Sequence, residues 1–253
     1  FEKTFNISVN DLAYATPYIA DIRPVWNVPL SGDPDIDNQV WGFSYNLDRD
    51  SDAPITITYS IIGTDSVFAS TYGYAYSLLG DEFTDRIVNG SSEWETMVDQ
   101  AFAYWSQVSG ITFVKVEETE TQCGDIRLGL QSSWATGNPG GFSLITASST
   151  YGSAVSDLWI RSYADPGNSS FMGSTLWSAS IILHEIGHSI GLAHPHDTGG
   201  NSTVASTDIQ FNAYTIMSYS GDGRLLSSWD IDGDGENEWD YWERLISVKP
   251  SIN

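Results

Sequence analysis

The stretch HEIGHSIGLAHPHD, residues 184–197, holds all four histidines of the chain, and its spacing constrains the fold more than any other feature. Along an α-helix four residues advance about 6 Å and turn about 400°, so His184 and His188 share one face. Two neutral imidazoles placed in this way can bind one metal ion. His194 lies six residues beyond His188. In a continuous helix it would rise about 9 Å further and point away from that face. It returns to the same ion only if the helix ends in between, and Gly191 is the residue that can turn left-handed there at little cost. Glu185, next to the first ligand, can reach a water on the metal without ligating the ion itself. Three protein ligands leave a coordination position open, the mark of a catalytic rather than a closed structural site. Zinc lowers the pKa of bound water towards neutrality, and a nearby carboxylate can take the proton during attack on a carbonyl. His196 has no counterpart in this arrangement and is expected at the surface.

The rest of the chain supplies a scaffold for such a helix. PITITYSII (54–62) alternates and is β-branched, which predicts a first strand. In SSEWETMVDQAFAYWSQVSG, Ser92 and Glu95 suit a capping box. Trp94, Met97, Val98, Ala101, Phe102, Trp105 and Val108 then recur at helical spacing, and Gly110 stops the run. Short strands are expected at 111–116, 125–131, 141–148 and 157–162, followed by a second long helix from about Ser174 into the histidine motif. This order fits an α+β or α/β layer, with two long helices against a mixed twisted sheet, and α+β is the expectation. Residues 1–40 read as an irregular lead-in, 41–191 as an N-terminal lobe and 192–253 as a loop-built C-terminal lobe of one domain. A closing helix is expected at 238–246.

Charge narrows the partners. Ten Lys plus Arg against 33 Asp plus Glu give a net charge of −23, which repels nucleic acid and anionic membrane surfaces. No eighteen-residue apolar run is present to span a membrane. Cys123 is the single cysteine, so the chain forms no internal disulfide, and it reads as a buried small hydrophobe or an idle thiol.

The pattern H-E-x-x-H-x-x-G-x-x-H, followed by YTIMSY (214–219), resembles the metzincin metallopeptidases. Pro195 after the third histidine, and Tyr219 two residues after Met217, resemble the serralysin branch of peptidase family M10. Weaker likeness in VPLSGD, WGFSYNL, ITITYS and AFAYWSQVSGITFVKV extends the resemblance over roughly residues 25–220. It implies a zincin-like fold, with His184, His188 and His194 binding zinc and Glu185 as general base. Met217 would lie in a methionine turn as a hydrophobic floor. Tyr219 would be a fifth, displaceable zinc ligand that stabilises the oxyanion. It also implies that Gly141, Phe142, Ser143, Leu144 and Ile145 belong to an edge strand that pairs with extended substrate. The competing reading of that segment is a plain strand.

Serralysin-type nonapeptide calcium repeats are not seen in the sequence, and DIDGDGENE (230–238) stands in their place. Asp230, Asp232, Asp234 and Glu238 occupy positions one, three, five and nine, with Gly235 at six, a spacing suited to a Ca²⁺ loop. An acidic solvated turn is the competing reading. The expectation from sequence is a secreted, monomeric zinc endopeptidase acting on extended polypeptides, with structural calcium. The alternative is a calcium-dependent adhesion or binding module that keeps the fold. Glu185 argues against the alternative, because a binding module needs no general base.

Overall fold

The computed structural model describes residues 24–26, 32–33, 37, 43–45, 56–66, 83–119, 122–133, 140–145, 156–171, 175–196 and 215–218. The chain falls into two compact units, Phe1–Val28 with Gly42–Gly191, and Pro29–Trp41 with Leu192–Asn253. The helix expected at 238–246 lies outside the described residues, as does the acidic loop 230–238.

In the first unit, β1 (Pro24–Trp26) pairs antiparallel with β2 (Phe43–Tyr45). The lead-in, expected to be irregular, therefore contains a strand. Proline at its head argues against strand from sequence, yet the first residue of a strand is one of the places that tolerates it.

The main sheet is built from β3 (Thr56–Ile61), β4 (Ile87–Val88), β5 (Thr112–Lys115), β6 (Ile126–Gln131), β7 (Gly141–Ile145) and β8 (Ser156–Arg161). Its order is β5-β3-β6-β8-β7, with β4 also paired to β6. The β3–β5, β3–β6 and β6–β8 pairs are parallel, whereas β4 and β7 run antiparallel to their partners. The sheet is thus mixed, as expected. All six residues of β6 are buried, which fits a central parallel strand covered on both faces. The two-residue β4 is too short to carry any periodicity and was not foreseen.

Two helices, α1 (Ser92–Ser109) and α2 (Thr175–Ser189), pack on each other and on the sheet. Phe102 of α1 stacks on Tyr59 of β3 with ring centroids 3.8 Å apart and meets Phe113 of β5 at 5.1 Å. The indole Nε1 of Trp105 donates to the carbonyl of Leu183 in α2 at 3.1 Å. Trp94, Val98, Ala101 and Phe102 are buried as their spacing predicts. Val108, the last member of the stripe, is 59% exposed. Periodicity assigns a residue to a helix face but does not set the depth of cover over each turn.

The opposite face of β6 and β8 carries charge. Arg127, 4% exposed, bonds Glu118 and lies 3.7 Å from Asp157. Ser60 also donates to Glu118. Beside this group, burial pushes the Cys123 thiol up to about 12, and the nearby Arg127 guanidinium offsets only part of that rise.

The start of α1 corrects the sequence reading. The N-cap is Ser91, one residue before the expected Ser92, and its Oγ accepts from the Trp94 N–H at 3.1 Å. Trp94 stands at the third helical position, where a capping box would have its glutamate. Glu95 instead lies 3.5 Å from Lys115. The Ser91 N–H donates to Asp165 Oδ2 at 2.9 Å, and the Ser91 hydroxyl donates to the other oxygen of the same carboxylate. Asp165, from beyond β8, thus fills the role that a capping-box glutamate has in other helices. At the far end, Gly110 takes φ +72° and ends the helix left-handed.

Two outcomes follow from these contacts. Ser91→Ala should cost about 1 kcal/mol and Asp165→Ala about 1–3 kcal/mol. The double variant should fall short of their sum, as read by urea midpoints, because both act on one cap. Full additivity would separate the two roles. Alkylation of Cys123 at pH 8 should be more than about a hundredfold slower in the folded than in the urea-unfolded protein, and equal rates would show the thiol to be accessible.

Candidate metal centre

Helix α2 carries the motif as its spacing requires. His184 and His188 lie on one face, with ring centroids 4.6 Å apart and planes nearly perpendicular at 89°. Each is 6% exposed. The helix then ends at Ser189. The Ile190 N–H still bonds Ile186 O at 3.1 Å, whereas the Gly191 N–H tightens onto His188 O, only three residues back, at 3.0 Å. Gly191 has φ +107°, a value that a side chain would strain.

His184, His188 and His194 each offer one ring nitrogen, and these atoms lie within 4.8 Å of one another. Three imidazoles, the set found among the described residues, are donors that a borderline metal such as zinc takes, so the residues fit the ion that their spacing implies. His196, outside the pattern, stacks on His194 with centroids 5.0 Å apart and planes 10° from parallel.

Glu185 is 4% exposed, and among the described residues its Oε2 has no hydrogen-bond partner. Burial pushes its carboxyl up to about 8. A carboxyl in that state keeps its proton near neutrality, and a cation close by would draw it back towards the charged form. A buried carboxyl whose charge state follows the ion next to it is suited to taking up and giving back a proton.

The strand expected to face substrate is β7, which closes the sheet order and among the described residues pairs only with β8. Its first residues explain the paired glycines of GGFSLI. A Cβ on Gly140 would come within 2.8 Å of Ile181, and one on Gly141 within 2.9 Å of Ile181 and 3.1 Å of the Glu185 side chain. Helix α2 therefore crosses β7 closely just where Glu185 sits. The sequence signal was visible as GG before a strand, but only the packing gives its reason.

In the second unit, Thr215–Ser218 form a turn, with Ser218 N–H donating to Thr215 O at 3.2 Å and Met217 N–H to Thr215 Oγ1 at 3.2 Å. Met217 is buried at 1% exposure. Tyr219, Asp230, Asp232, Asp234 and Glu238 lie outside the described residues.

The matrixin (peptidase M10) family profile matches residues 74–207, just over half of the 253-residue chain. The chain belongs to the matrixin family. This matrixin is thus a metalloendopeptidase of metzincin fold, whose α+β architecture is the mixed sheet and two helices described above, and its substrates are proteins or peptides. Among solved structures, the structure of myroilysin is similar at 18% identity and a TM-score of 0.33, covering 68% of this chain and 73% of that one. A comparison with curated proteins finds no match.

If the positive-φ turn delivers the third histidine, Gly191→Ala should lower metal affinity by roughly tenfold, since a left-handed alanine costs about 1–2 kcal/mol. Chelator competition reads this directly. Gly110→Ala, strained alike but at the end of α1, should reduce stability and leave metal affinity unchanged. Equal metal affinity in Gly191→Ala and wild type would refute the hinge.

Proposed function

We propose that this matrixin is a secreted zinc endopeptidase of serralysin-like type that hydrolyses internal bonds of extended polypeptides. The observation that carries the reading is the gathering of His184, His188 and His194 around one point with the buried Glu185 carboxyl beside the first of them. When bound, zinc supplies Lewis acidity, polarising a carbonyl and lowering the pKa of water towards neutrality.

The protein's own groups do the rest. The histidines hold the ion in a fixed frame. Glu185 accepts a proton from the attacking water and passes it to the leaving amine. Its burial, which favours the neutral acid in the absence of a cation, suits the second of these transfers. Strand β7, through Gly141, Phe142, Ser143, Leu144 and Ile145, pairs with the substrate main chain and holds it extended. Met217 forms an apolar support below the metal. Tyr219 would be a fifth, displaceable zinc ligand and would donate to the oxyanion. Pro195 and Tyr219 support the serralysin-like assignment.

Calcium, held by Asp230, Asp232, Asp234 and Glu238, stabilises the C-terminal segment and takes no part in the chemistry. Its support is the oxygen spacing around Gly235. Secretion and a monomeric state are expected from the family resemblance, and an acidic chain with a single cysteine is compatible with both.

Casein digestion tests the reading. Wild type loaded with zinc should degrade casein, chelation should abolish activity and zinc should restore it. Glu185→Ala should retain zinc yet lose activity by at least about a hundredfold, the scale of a general base. A zinc-loaded wild type that leaves casein and a range of peptides intact would end the proposal.

A further inference from the structure

Three hydroxyls join the edge strand to the metal-binding helix. Ser189, the last residue of α2 and the neighbour of His188, is fully buried, and its hydroxyl donates to Glu185 O at 3.2 Å. That uses its one proton. Ser156 of β8, 2.9 Å from Ser189 Oγ, must then be the donor in that contact. Ser143 of β7 lies 3.3 Å from Ser156 Oγ and 3.4 Å from Ser189 Oγ, and donates into the pair. Each hydroxyl proton has an acceptor, and the chain of donors runs one way, from β7 through β8 to the carbonyl of Glu185.

The ladder between β7 and β8 gives Ser143 a second property. The Arg161 N–H bonds Gly140 O at 3.0 Å, and the register pairs Gly141 with Ile160, Phe142 with Trp159 and Ser143 with Leu158. Antiparallel pairs alternate between hydrogen-bonded and non-bonded. With Gly140 and Arg161 bonded, Phe142 and Leu144 bond β8, while the main-chain groups of Gly141, Ser143 and Ile145 turn to the side away from β8, which is unpaired among the described residues. At Ser143 the backbone thus faces outward, and the side chain faces the helix that carries His184, Glu185 and His188. Gly141, also outward in its backbone, is pressed against Glu185 by the close packing already noted.

We propose that the Ser143–Ser156–Ser189 cluster is a positioning device that fixes the register of edge strand β7 against α2, so that a peptide paired to Ser143 is held at a set distance from Glu185. None of the three is a catalytic residue, since they act through the strand and the helix. The inference rests on the peptidase reading and on β7 as the substrate edge, and it adds the groups that set where the bound peptide lies.

The experiment compares wild type, Ser143→Ala, Ser189→Ala and the double variant, all zinc-loaded, on two synthetic substrates. One is an extended peptide long enough to pair along β7, and the other is a blocked dipeptide amide that does not reach it. Loss of one hydrogen bond should raise KM for the extended peptide by about two- to tenfold. The loss should be larger on the extended peptide than on the short substrate, and zinc content should not change. The double variant should match the single ones, because either change breaks the same connection.

Equal losses on both substrates would mark the cluster as merely structural, and unchanged KM on the extended peptide would overturn the proposal outright. If wild type itself fails on the extended peptide, the peptidase reading falls and takes this inference with it. Ser143 is only half-buried, so its variant keeps the test decisive should Ser189→Ala fail to fold.

Discussion

A straight helix cannot bring a third ligand to an ion when that ligand lies six residues beyond the second, and this geometric limit organises the whole site. The chain meets it by ending α2 at Ser189 and bending at Gly191, where φ is +107°. Everything before the bend must be rigid for the bend to be useful. The rigidity comes from burial of Ile182, Leu183 and Ile186, from the Trp105 indole bonded to the Leu183 carbonyl, and from the close crossing of α2 over β7 at Gly140 and Gly141. A residue pair chosen for smallness on the strand lets a helix chosen for its ligands come near enough to share work with it.

The α2 helix and β7 strand were legible before the structure, because each carries a local signal: histidines at helical spacing in one, a glycine-headed apolar run in the other. The α1 stripe was legible for the same reason from Trp94 to Phe102. What escaped was non-local. No pattern around Ser91 announces that its cap is completed by Asp165, and the local Ser92/Glu95 pair offered a plausible but wrong substitute. Nor does DIRLGLQ reveal that Arg127 is buried against Glu118 and Asp157. Alternation separates the two faces of a strand without saying that the polar one is also covered.

At the metal centre the same division holds. His184, Glu185 and His188 could be placed by helical spacing, and His194 by the turn expected at Gly191. The hydroxyls of Ser143, Ser156 and Ser189 could not, since three serines from three elements have no sequence relation. Their meeting is a product of the β7–β8 register and of where α2 stops. Met217 sits between these cases. Its burial is a fact of the fold, while the reason for noticing it came from resemblance.

The cap of α1 has a consequence in time. Ser91 and Asp165 are separated by 74 positions in the chain. At a synthesis rate of about 5–20 residues per second, the N-terminus of α1 waits roughly 4–15 seconds on the ribosome before its partner exists. During that interval the aromatic face of α1 has β3, gains β5, β6 and β8 in turn, and still lacks α2. The polypeptide thus passes through a stage in which the apolar face of α1 is made before α2 is there to pack on it. Arrival of the segment after β8 closes the helix end, and α2 with its histidines follows directly behind it.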